Sequence, residues 1–389
     1  MALVDGLIMS SKFRGCLLGS LLGDCLGAPF EGELAGTYVV LQKFFDKLEG
    51  PHYKAPLMQY TDDTAMTKCV AESLINQEKL DVKDLAKRFV KEYFNQPRRG
   101  YGANVVEVFA KLRATKCEDP FAPAKEQFGG SGSYGNGGAM RIAPIPLFFR
   151  GLDTKALAEL ARQSAEITHT NVNGYNGAIL QCLAIQQSLW LNPKQPLNTG
   201  IFLEELLKKM QEFEKEDDEF MTEGEDPQPF CSKLRWVNEL LARERSGGKR
   251  IKEKEDVLFR LGAGVSALTS VPTAIFCFLR AQQGPIHEIN TESAFRRTLQ
   301  YAISLGGDTD TIASMAGALC GAFLGYDGVS ISKNLIKHCE GSEEMLNLAD
   351  RLYSKSLPSD ELMKTNFSEV CKIMDTRTKM FDMWDRERQ

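Results

Sequence analysis

Two short stretches of the sequence place pairs of carboxylates and hydroxyls where an apolar helix is expected to begin. Residues 60–66 read YTDDTAM, and residues 304–317 read SLGGDTDTIASMAG. Each stretch holds two acids and two threonines within four residues and continues into small apolar residues. The oxygen-bearing side chains that could bind a cation are those of Thr61, Asp62, Asp63, Asp308, Asp310 and Thr311.

The chemistry of these side chains favours a metal site over simple helix capping. A carboxylate at a helix N-terminus is worth about 0.3–1 kcal/mol, so either stretch alone could be structural. A cap needs only one carboxylate, however, and four that converge repel one another unless a cation lies between them. Hard oxygen donors without nearby Cys or His favour Mg²⁺, Mn²⁺ or Ca²⁺ over Zn²⁺. We therefore predict a site for one or two such ions.

The stretch around Asp308 also allows a different interpretation. An apolar run followed by D-x-D-x-T faintly resembles the nucleophile motif of haloacid-dehalogenase-type phosphohydrolases. A β-strand at residues 301–305 would favour that interpretation. Two glycines separate the apolar run from Asp308, and the flanking residues have a helical pattern, so we prefer the metal site.

A third group of acids lies early in the chain, in the stretch GDCLGAPFEGEL, which contains Asp24, Glu31 and Glu33. Because the Gly-Ala-Pro sequence is typical of the end of a helix, Glu31 is expected on a loop that can move. Taken by itself, such a loop acid is more simply explained as solvated.

A glycine-rich loop spans residues 128–141, with the sequence FGGSGSYGNGGAMR. It is neither a P-loop nor a dinucleotide-binding fingerprint, because no Gly-Lys-Ser/Thr ends it and no strand precedes it. Glycines nevertheless let backbone N–H groups approach an anion, and Phe128 and Tyr134 could enclose an aromatic base. A flexible surface loop is the alternative. His169, in ITHTNVNGYNGAIL, is either structural or part of a polar pocket wall.

Helical periodicity dominates the elements that must position these residues. Apolar residues recur every three or four positions after Asp81, and residues 178–191 are apolar nearly all round, as in a buried central helix. Ser270 is predicted to cap a helix that begins VPTAIFCFL, with Pro272 in its first turn. Clean two-residue alternation with hairpin turns is absent. We predict an all-α fold.

Composition narrows the class of protein. The 389 residues are 43% hydrophobic and carry a formal net charge of −5, so we expect a globular chain that binds neither nucleic acid nor membranes. The ten cysteines form no C-x-x-C pair, which favours reduced thiols in an intracellular compartment. The apolar run at residues 16–30 is interrupted by Asp24 and is too short to span a bilayer. Because the sequence shows no large apolar stripe that would be exposed on the surface, we expect the oligomeric state to be a monomer.

Five motifs, in this order, resemble those of the ADP-ribosylhydrolase family: GDCLGAPFE, YTDDTAM, GSYGNGGAMR, THTNVNGYNGA and SLGGDTDTIASMAGA. The resemblance covers roughly residues 13–357. It implies an all-α orthogonal bundle over residues 1–357, followed by a C-terminal extension over residues 358–389. It also implies two Mg²⁺ ions at the bottom of a cleft.

The resemblance also implies roles for individual residues. The six side chains named first would bind Mg²⁺, and Glu31 would be the glutamate on a flap that is needed for turnover, with Glu33 as its rival. Phe128 and Tyr134 would hold adenine, and His169 would reach a phosphate or the distal ribose. The diphosphate would be held by Gly132, Ser133, Tyr134, Gly135 and Asn136.

Within the family, the stretches RGYGANVVEVFAKL and SVPTAIFCFLR resemble the branch that acts on ADP-ribose O-linked to serine and on poly(ADP-ribose). Serine-ADP-ribosylated proteins and poly(ADP-ribose) would then be the substrates, and free ADP-ribose the product. The expected location is the nucleus and cytoplasm, with the mitochondrial matrix as a further possibility. Arginine-linked ADP-ribose is an alternative substrate, and a catalytically inactive ADP-ribose-binding module is the alternative from a different functional class.

Overall fold

Regular structure in the described part of the chain is helical. A computed structural model describes residues 6–32, 38–54, 56–214, 226–245, 253–327 and 331–356. Among these residues there are three isolated β-bridges and no strand, which confirms the predicted all-α class. None of the helices in these ranges combines the length and the apolarity needed to cross a lipid bilayer.

The helices are numbered in chain order, with two short 3-10 helices at Ala28–Phe30 and Gln127–Gly130. The α-helices are α1 (Gly6–Gly27), α2 (Tyr38–Glu49), α3 (Asp62–Gln77), α4 (Val82–Asn95), α5 (Ala103–Ala114), α6 (Ala122–Lys125), α7 (Gly137–Met140), α8 (Pro144–Phe148), α9 (Thr154–Glu166), α10 (Val172–Leu189), α11 (Thr199–Met210), α12 (Pro229–Arg245), α13 (Glu253–Arg260), α14 (Ala267–Gln282), α15 (Ala294–Ser304), α16 (Thr309–Leu324), α17 (Lys333–Ile336) and α18 (Ser342–Lys355).

The central packing contact is the crossing of α1 and α16, whose backbones approach each other closely. A Cβ atom added to Gly19 would collide with the carbonyl oxygen of Gly317, so the crossing leaves no room for a side chain there. Ser20 and Ser314 lie across the same contact, with their hydroxyl oxygens 2.8 Å apart. Because α1 ends just before Glu31 and α16 begins just after Asp308, this crossing sets the distance between two of the acidic stretches.

The helix α10 lies in the interior, as the apolar pattern of residues 178–191 predicts. Every residue from Asn176 to Leu189 is buried. The ammonium group of Lys12 on α1 donates hydrogen bonds to the carbonyl oxygens of Ser188, Leu189 and Leu191, at 3.2, 2.9 and 2.6 Å. These hydrogen bonds serve carbonyl groups at the C-terminal end of α10 and fix α1 against it. Burial lowers the pKa of Lys12 to about 7.

The helix α2 follows the Glu31 loop and is attached to α15, which leads into the Asp308 stretch. The buried guanidinium of Arg296 on α15 forms ion pairs with Asp46 at 2.6 Å and Glu49 at 2.5 Å. The α-helical state of residues 294–304 also rules out a strand at residues 301–304 and removes the support for a dehalogenase-type nucleophile.

The predicted start of α14 is wrong by one turn. Ser266, not Ser270, occupies the N-cap position, and Pro272 lies inside the helix. The earlier start follows from a tertiary contact, because the backbone N–H of Ala267 donates to the carbonyl oxygen of Tyr134 at 3.1 Å. The predicted C-terminal extension, residues 358–389, lies outside the described residues and stays a prediction.

The α1–α16 crossing yields a stability prediction. Gly19→Ala forces the two backbones apart, and we expect it to lower the free energy of unfolding by about 1–3 kcal/mol. Gly200→Ala is the matched control, because a Cβ atom there meets only Asn198 Oδ1, at 3.5 Å. Urea denaturation of both variants measures the effect. Equal stability of the two variants would contradict the close approach.

Candidate functional site

Three carboxylates from two elements meet at the end of α1 and the start of α16. Carboxylate oxygens of Glu31, Asp308 and Asp310 lie within 4.8 Å of one another. Asp308 is the N-cap residue of α16, Asp310 lies in its first turn, and Glu31 follows the 3-10 helix after α1. The backbone N–H of Gly32 donates to the carbonyl oxygen of Gly307 at 3.0 Å, which fastens the Glu31 loop to the Asp308 stretch.

The other acidic stretch joins the same cluster through hydroxyl groups. The helix α3 begins after Thr61, as predicted; Thr61 is its N-cap residue and Asp63 lies in its first turn. Oδ2 of Asp63 accepts hydrogen bonds from the hydroxyls of Thr61 at 3.2 Å and Thr311 at 3.1 Å. Oδ1 of Asp63 is buried and has no hydrogen-bond partner within the described residues. A buried carboxylate oxygen without a donor is costly unless a cation binds it, so this atom fits a metal ligand.

Asp24 has a structural role that the sequence analysis did not assign. Its carboxylate accepts the backbone N–H groups of Thr61 and Thr64, at 3.0 Å each, and the Thr64 hydroxyl at 2.6 Å. It therefore satisfies N–H groups at the start of α3 that the helix itself leaves unpaired. Because Asp24 fills this role from α1, Asp62 and Asp63 are not needed as caps. The sequence signal for this role is one acidic residue within LLGDCLG, a stretch of α1 that otherwise consists of small and apolar residues.

Burial of this cluster disfavours the charged form of its carboxyl groups. Burial, reinforced by neighbouring negative charges, raises the pKa of Asp62 to about 7 and that of Asp310 to about 9. The pKa of Asp63 is raised well above its ordinary value for the same reasons. Burial and the charge of Asp308 also raise the pKa of Glu31. A divalent cation among these oxygens would replace the protons, and the all-oxygen donor set fits Mg²⁺, Mn²⁺ or Ca²⁺.

The glycine-rich loop is joined to the acidic cluster by Asn136. Its side-chain amide nitrogen donates to Asp308 Oδ2 at 2.6 Å and to Ser270 Oγ at 3.1 Å, and its backbone N–H donates to the carbonyl oxygen of Val265 at 2.9 Å. All its N–H groups are thus used within the protein. The structure therefore places Asn136 as a connection between the loop and the carboxylates.

The aromatic residues Phe128 and Tyr134 lie side by side at the surface of the loop. Each is 49% exposed, and the ring centroids are 5.9 Å apart with an interplanar angle of 35°. Phe128 adopts a left-handed backbone conformation with φ of 53°, which is uncommon for such a residue and marks local strain. A base held between the two rings would stack on each of them at about 3.5 Å. The distance between the ring centroids would therefore have to increase by about 1 Å.

His169 lies against the other side of the loop, between α9 and α10. A Cβ atom on Gly137 would lie 2.6 Å from Cε1 of the imidazole, so only glycine lets the loop pass so close. Burial, with the charge of Arg141 as the smaller cause, lowers the pKa of His169 to about 3 and keeps the ring neutral. Gly132 packs on Thr170 in the same region, and Ser133 Oγ accepts the Gly135 N–H at 3.3 Å.

The structure thus brings the two acidic stretches and Glu31 into one cluster and connects the glycine-rich loop to it. Glu33, the rival of Glu31 in the sequence analysis, lies outside the described residues. The resulting arrangement has an acidic cation site at one end and a glycine-rich wall with a neutral histidine and two exposed aromatic rings at the other. Such a site could hold an extended ligand with vicinal hydroxyls, phosphates and an aromatic base.

Comparisons with known proteins agree with this arrangement. The family model of ADP-ribosylglycohydrolase matches residues 7–361. ADP-ribosylhydrolase ARH3 of Gallus gallus is 44% identical over 355 residues, covering 88% of this chain and 93% of that protein. The Homo sapiens protein of the same name is 42% identical over 352 residues, with the same coverage of 88% and 93%.

A solved structure gives the same result. An ADP-ribosylglycohydrolase-related protein complex is 26% identical, with a TM-score of 0.61, and the similarity covers 90% of this chain and 100% of that chain. The family match, the similarity to the two relatives and the similarity to the solved structure each extend over most of the chain. The chain therefore belongs to the ADP-ribosylglycohydrolase family and is a glycohydrolase enzyme that acts on ADP-ribosyl groups.

Proposed function

We propose that the chain hydrolyses the O-glycosidic bond of ADP-ribose attached to protein serine, and that of poly(ADP-ribose), and releases free ADP-ribose in an Mg²⁺-dependent reaction. The observation that carries the proposal is the meeting of Glu31 with Asp308 and Asp310 beside the glycine-rich loop. The preference for serine is supported by the motif resemblance and by the similarity to the ADP-ribosylhydrolases named above.

We assign two Mg²⁺ ions to the acidic cluster. When bound, Mg²⁺ acts as a Lewis acid and as a template that orients substrate hydroxyls. Two observations support this assignment: Oδ1 of Asp63 has no hydrogen-bond partner, and the described residues of the cluster offer only oxygen ligands. The proposed ligands are Thr61, Asp62, Asp63, Asp308, Asp310 and Thr311.

Glu31 is the residue we assign to proton transfer. Hydrolysis breaks the bond between the anomeric carbon and the serine oxygen, adds the oxygen of water to that carbon and delivers a proton to the serine oxygen. A carboxyl group with a raised pKa at the accessible edge of the cluster can accept the proton of water and return it to the leaving oxygen. The buried aspartates are not a conventional pair of glycosidase carboxylates, because their proposed role is to bind metal.

The remaining residues are assigned to substrate binding. We assign the diphosphate to the backbone N–H groups of Ser133 and Tyr134, because those of Gly132 and Gly135 already have acceptors within the protein. The flanking glycines allow a close backbone approach to an anion. Phe128 and Tyr134 offer apolar ring faces to adenine. We assign His169 to the phosphates as a contact from the opposite side of the loop. These residues hold the ADP-ribosyl group while the anomeric carbon lies at the carboxylates.

The first test is release of free ADP-ribose from a serine-ADP-ribosylated peptide, with Mg²⁺ and with EDTA. We expect release only with the metal, because the proposal assigns Lewis-acid catalysis and the orientation of the ribose hydroxyls to Mg²⁺. A peptide carrying arginine-linked ADP-ribose is the control for bond specificity. Release from the arginine peptide alone would contradict the serine assignment, and ADP-ribose binding without release from either peptide would indicate a binding module.

A second test separates proton transfer from binding. Glu31→Gln should lower turnover by about 10²–10⁴-fold, the usual contribution of a general acid–base residue, and leave the Kd for ADP-ribose within a factor of about three. Asp310→Asn should weaken both, because it removes a metal ligand. Glu205→Gln, on the exposed face of α11, is the matched control and should change neither. Wild-type turnover in the Glu31 variant would refute its role.

A third test uses the pH dependence of stability. Folded-state pKa values of about 7 for Asp62 and about 9 for Asp310 lie above those of an unfolded chain, so the metal-free fold holds extra protons between about pH 4 and pH 9. Mg²⁺ must displace these protons. The increase in the free energy of unfolding that Mg²⁺ produces should therefore grow from pH 6 to pH 9, by up to about 1.4 kcal/mol per pH unit for each displaced proton.

The measurement is urea denaturation with saturating Mg²⁺ and with EDTA at each pH, so that groups remote from the metal cancel in the difference. Asp310→Asn should flatten the pH dependence of the Mg²⁺ effect. An Mg²⁺ effect that is constant from pH 6 to pH 9 in the wild-type chain would show that the ion binds away from these carboxyl groups.

A further inference from the structure

The two ring nitrogens of His169 face different surroundings. Nδ1 lies 2.7 Å from the hydroxyl oxygen of Thr168. Nε2 faces the glycine-rich loop, where Cβ atoms on Gly135 and Gly137 would lie 3.3 and 3.0 Å from it. In a neutral imidazole one nitrogen donates a hydrogen bond and the other accepts one. The partner of Nδ1 therefore decides what Nε2 presents to a ligand in the loop.

The direction of the bond between Thr168 and His169 follows from a third residue, Arg141. Its Nη2 lies 2.8 Å from Thr168 Oγ1, and a guanidinium can only donate, so the threonine oxygen accepts there. The hydroxyl hydrogen then has two possible acceptors. One is Nδ1 of His169 at 2.7 Å, and the other is the carbonyl oxygen of Ala165 at 3.5 Å.

The carbonyl oxygen of Ala165 is the poorer acceptor. Its distance is at the limit of a hydrogen bond, and it already accepts the backbone N–H groups of Thr168 at 3.0 Å and His169 at 2.8 Å. The hydroxyl hydrogen of Thr168 is therefore directed to Nδ1. Nδ1 becomes the acceptor, and the ring proton must lie on Nε2, the nitrogen that faces the loop.

We infer that Arg141 and Thr168 are positioning residues that fix His169 in the Nε2–H tautomer, so that it presents an N–H donor to a diphosphate oxygen in the glycine-rich loop. The inference rests on the proposed function, because that function supplies the diphosphate. The opposite tautomer would present a lone pair to the phosphate oxygens, and the two would repel.

The environment of Arg141 suits this role. Its guanidinium is fully buried, has no carboxylate within ion-pair distance among the described residues, and lies 4.6 Å from the centroid of the Phe89 ring. Nη2 also donates to the carbonyl oxygen of Ser164 at 2.9 Å, and this bond holds the guanidinium in place. A buried charge without a counter-ion is costly, and a planar group with five donors is suited to fixing several acceptors at once. The charge behind the imidazole also keeps that ring neutral.

The direct test is the tautomer itself. Two-bond ¹H–¹⁵N spectra of the ¹⁵N-labelled full-length chain report which imidazole nitrogen carries the proton, and the His169→Gln variant assigns the signal among the four histidines. We expect the Nε2–H tautomer in the wild-type chain and in Thr168→Ser, and a shift toward the Nδ1–H tautomer in Thr168→Val. A wild-type Nδ1–H tautomer or a charged ring overturns the inference, even if the valine variant fails to fold.

The second readout is the Kd for ADP-ribose, measured by calorimetry. Thr168→Val should weaken binding about ten-fold or more, as expected for one hydrogen bond to a charged group, whereas Thr168→Ser should stay within about two-fold. Equal affinity in the two variants overturns the inference. A wild-type chain that shows the Nε2–H tautomer but does not bind ADP-ribose would instead refute the proposed function, so the two failures are distinguishable.

Discussion

Repulsion among buried carboxylates is the constraint on which the rest of the site depends. Acidic side chains from three separate stretches of the chain converge where water is largely excluded, and burial disfavours their charges. The protein relieves part of this repulsion internally, because Asp24 binds the N–H groups at the start of α3 and Asn136 donates to Asp308. Oδ1 of Asp63 is buried and receives no hydrogen bond from any described residue, so the relief within the described part of the chain is incomplete.

The two ends of the site differ in the chemical groups that they contain. At the acidic end, rigid helix N-termini hold oxygen atoms that need a positive partner. At the glycine-rich end lie the backbone of the loop and an imidazole that burial and, to a lesser degree, Arg141 keep neutral. Asn136 connects the two ends, because its side chain donates to Asp308 and its backbone N–H donates to Val265.

Features encoded by neighbouring residues could be predicted from the sequence, and features that depend on distant partners could not. The start of a helix after Thr61 and the buried helix α10 follow from local patterns, and the structure contains both. Asp24 was not assigned a role because its partners lie 37 and 40 positions away. The start of α14 was placed one turn late because its first N–H bonds to Tyr134, far earlier in the chain. The functional roles of the site residues themselves stay predictions.

The α1–α16 crossing has a consequence for how the chain reaches its native state. Ser20 and Ser314, which meet at the crossing, are separated by 294 positions in the sequence. A ribosome therefore releases the glycine-lined face of α1 long before the helix that covers it has been synthesised. Contacts between such distant segments form slowly. Until they form, the apolar surface of α1 is exposed and prone to aggregation. A chain truncated before Asp308 would leave this face of α1 uncovered and would lack Asp308 and Asp310, two of the three carboxylates that meet at the end of α1.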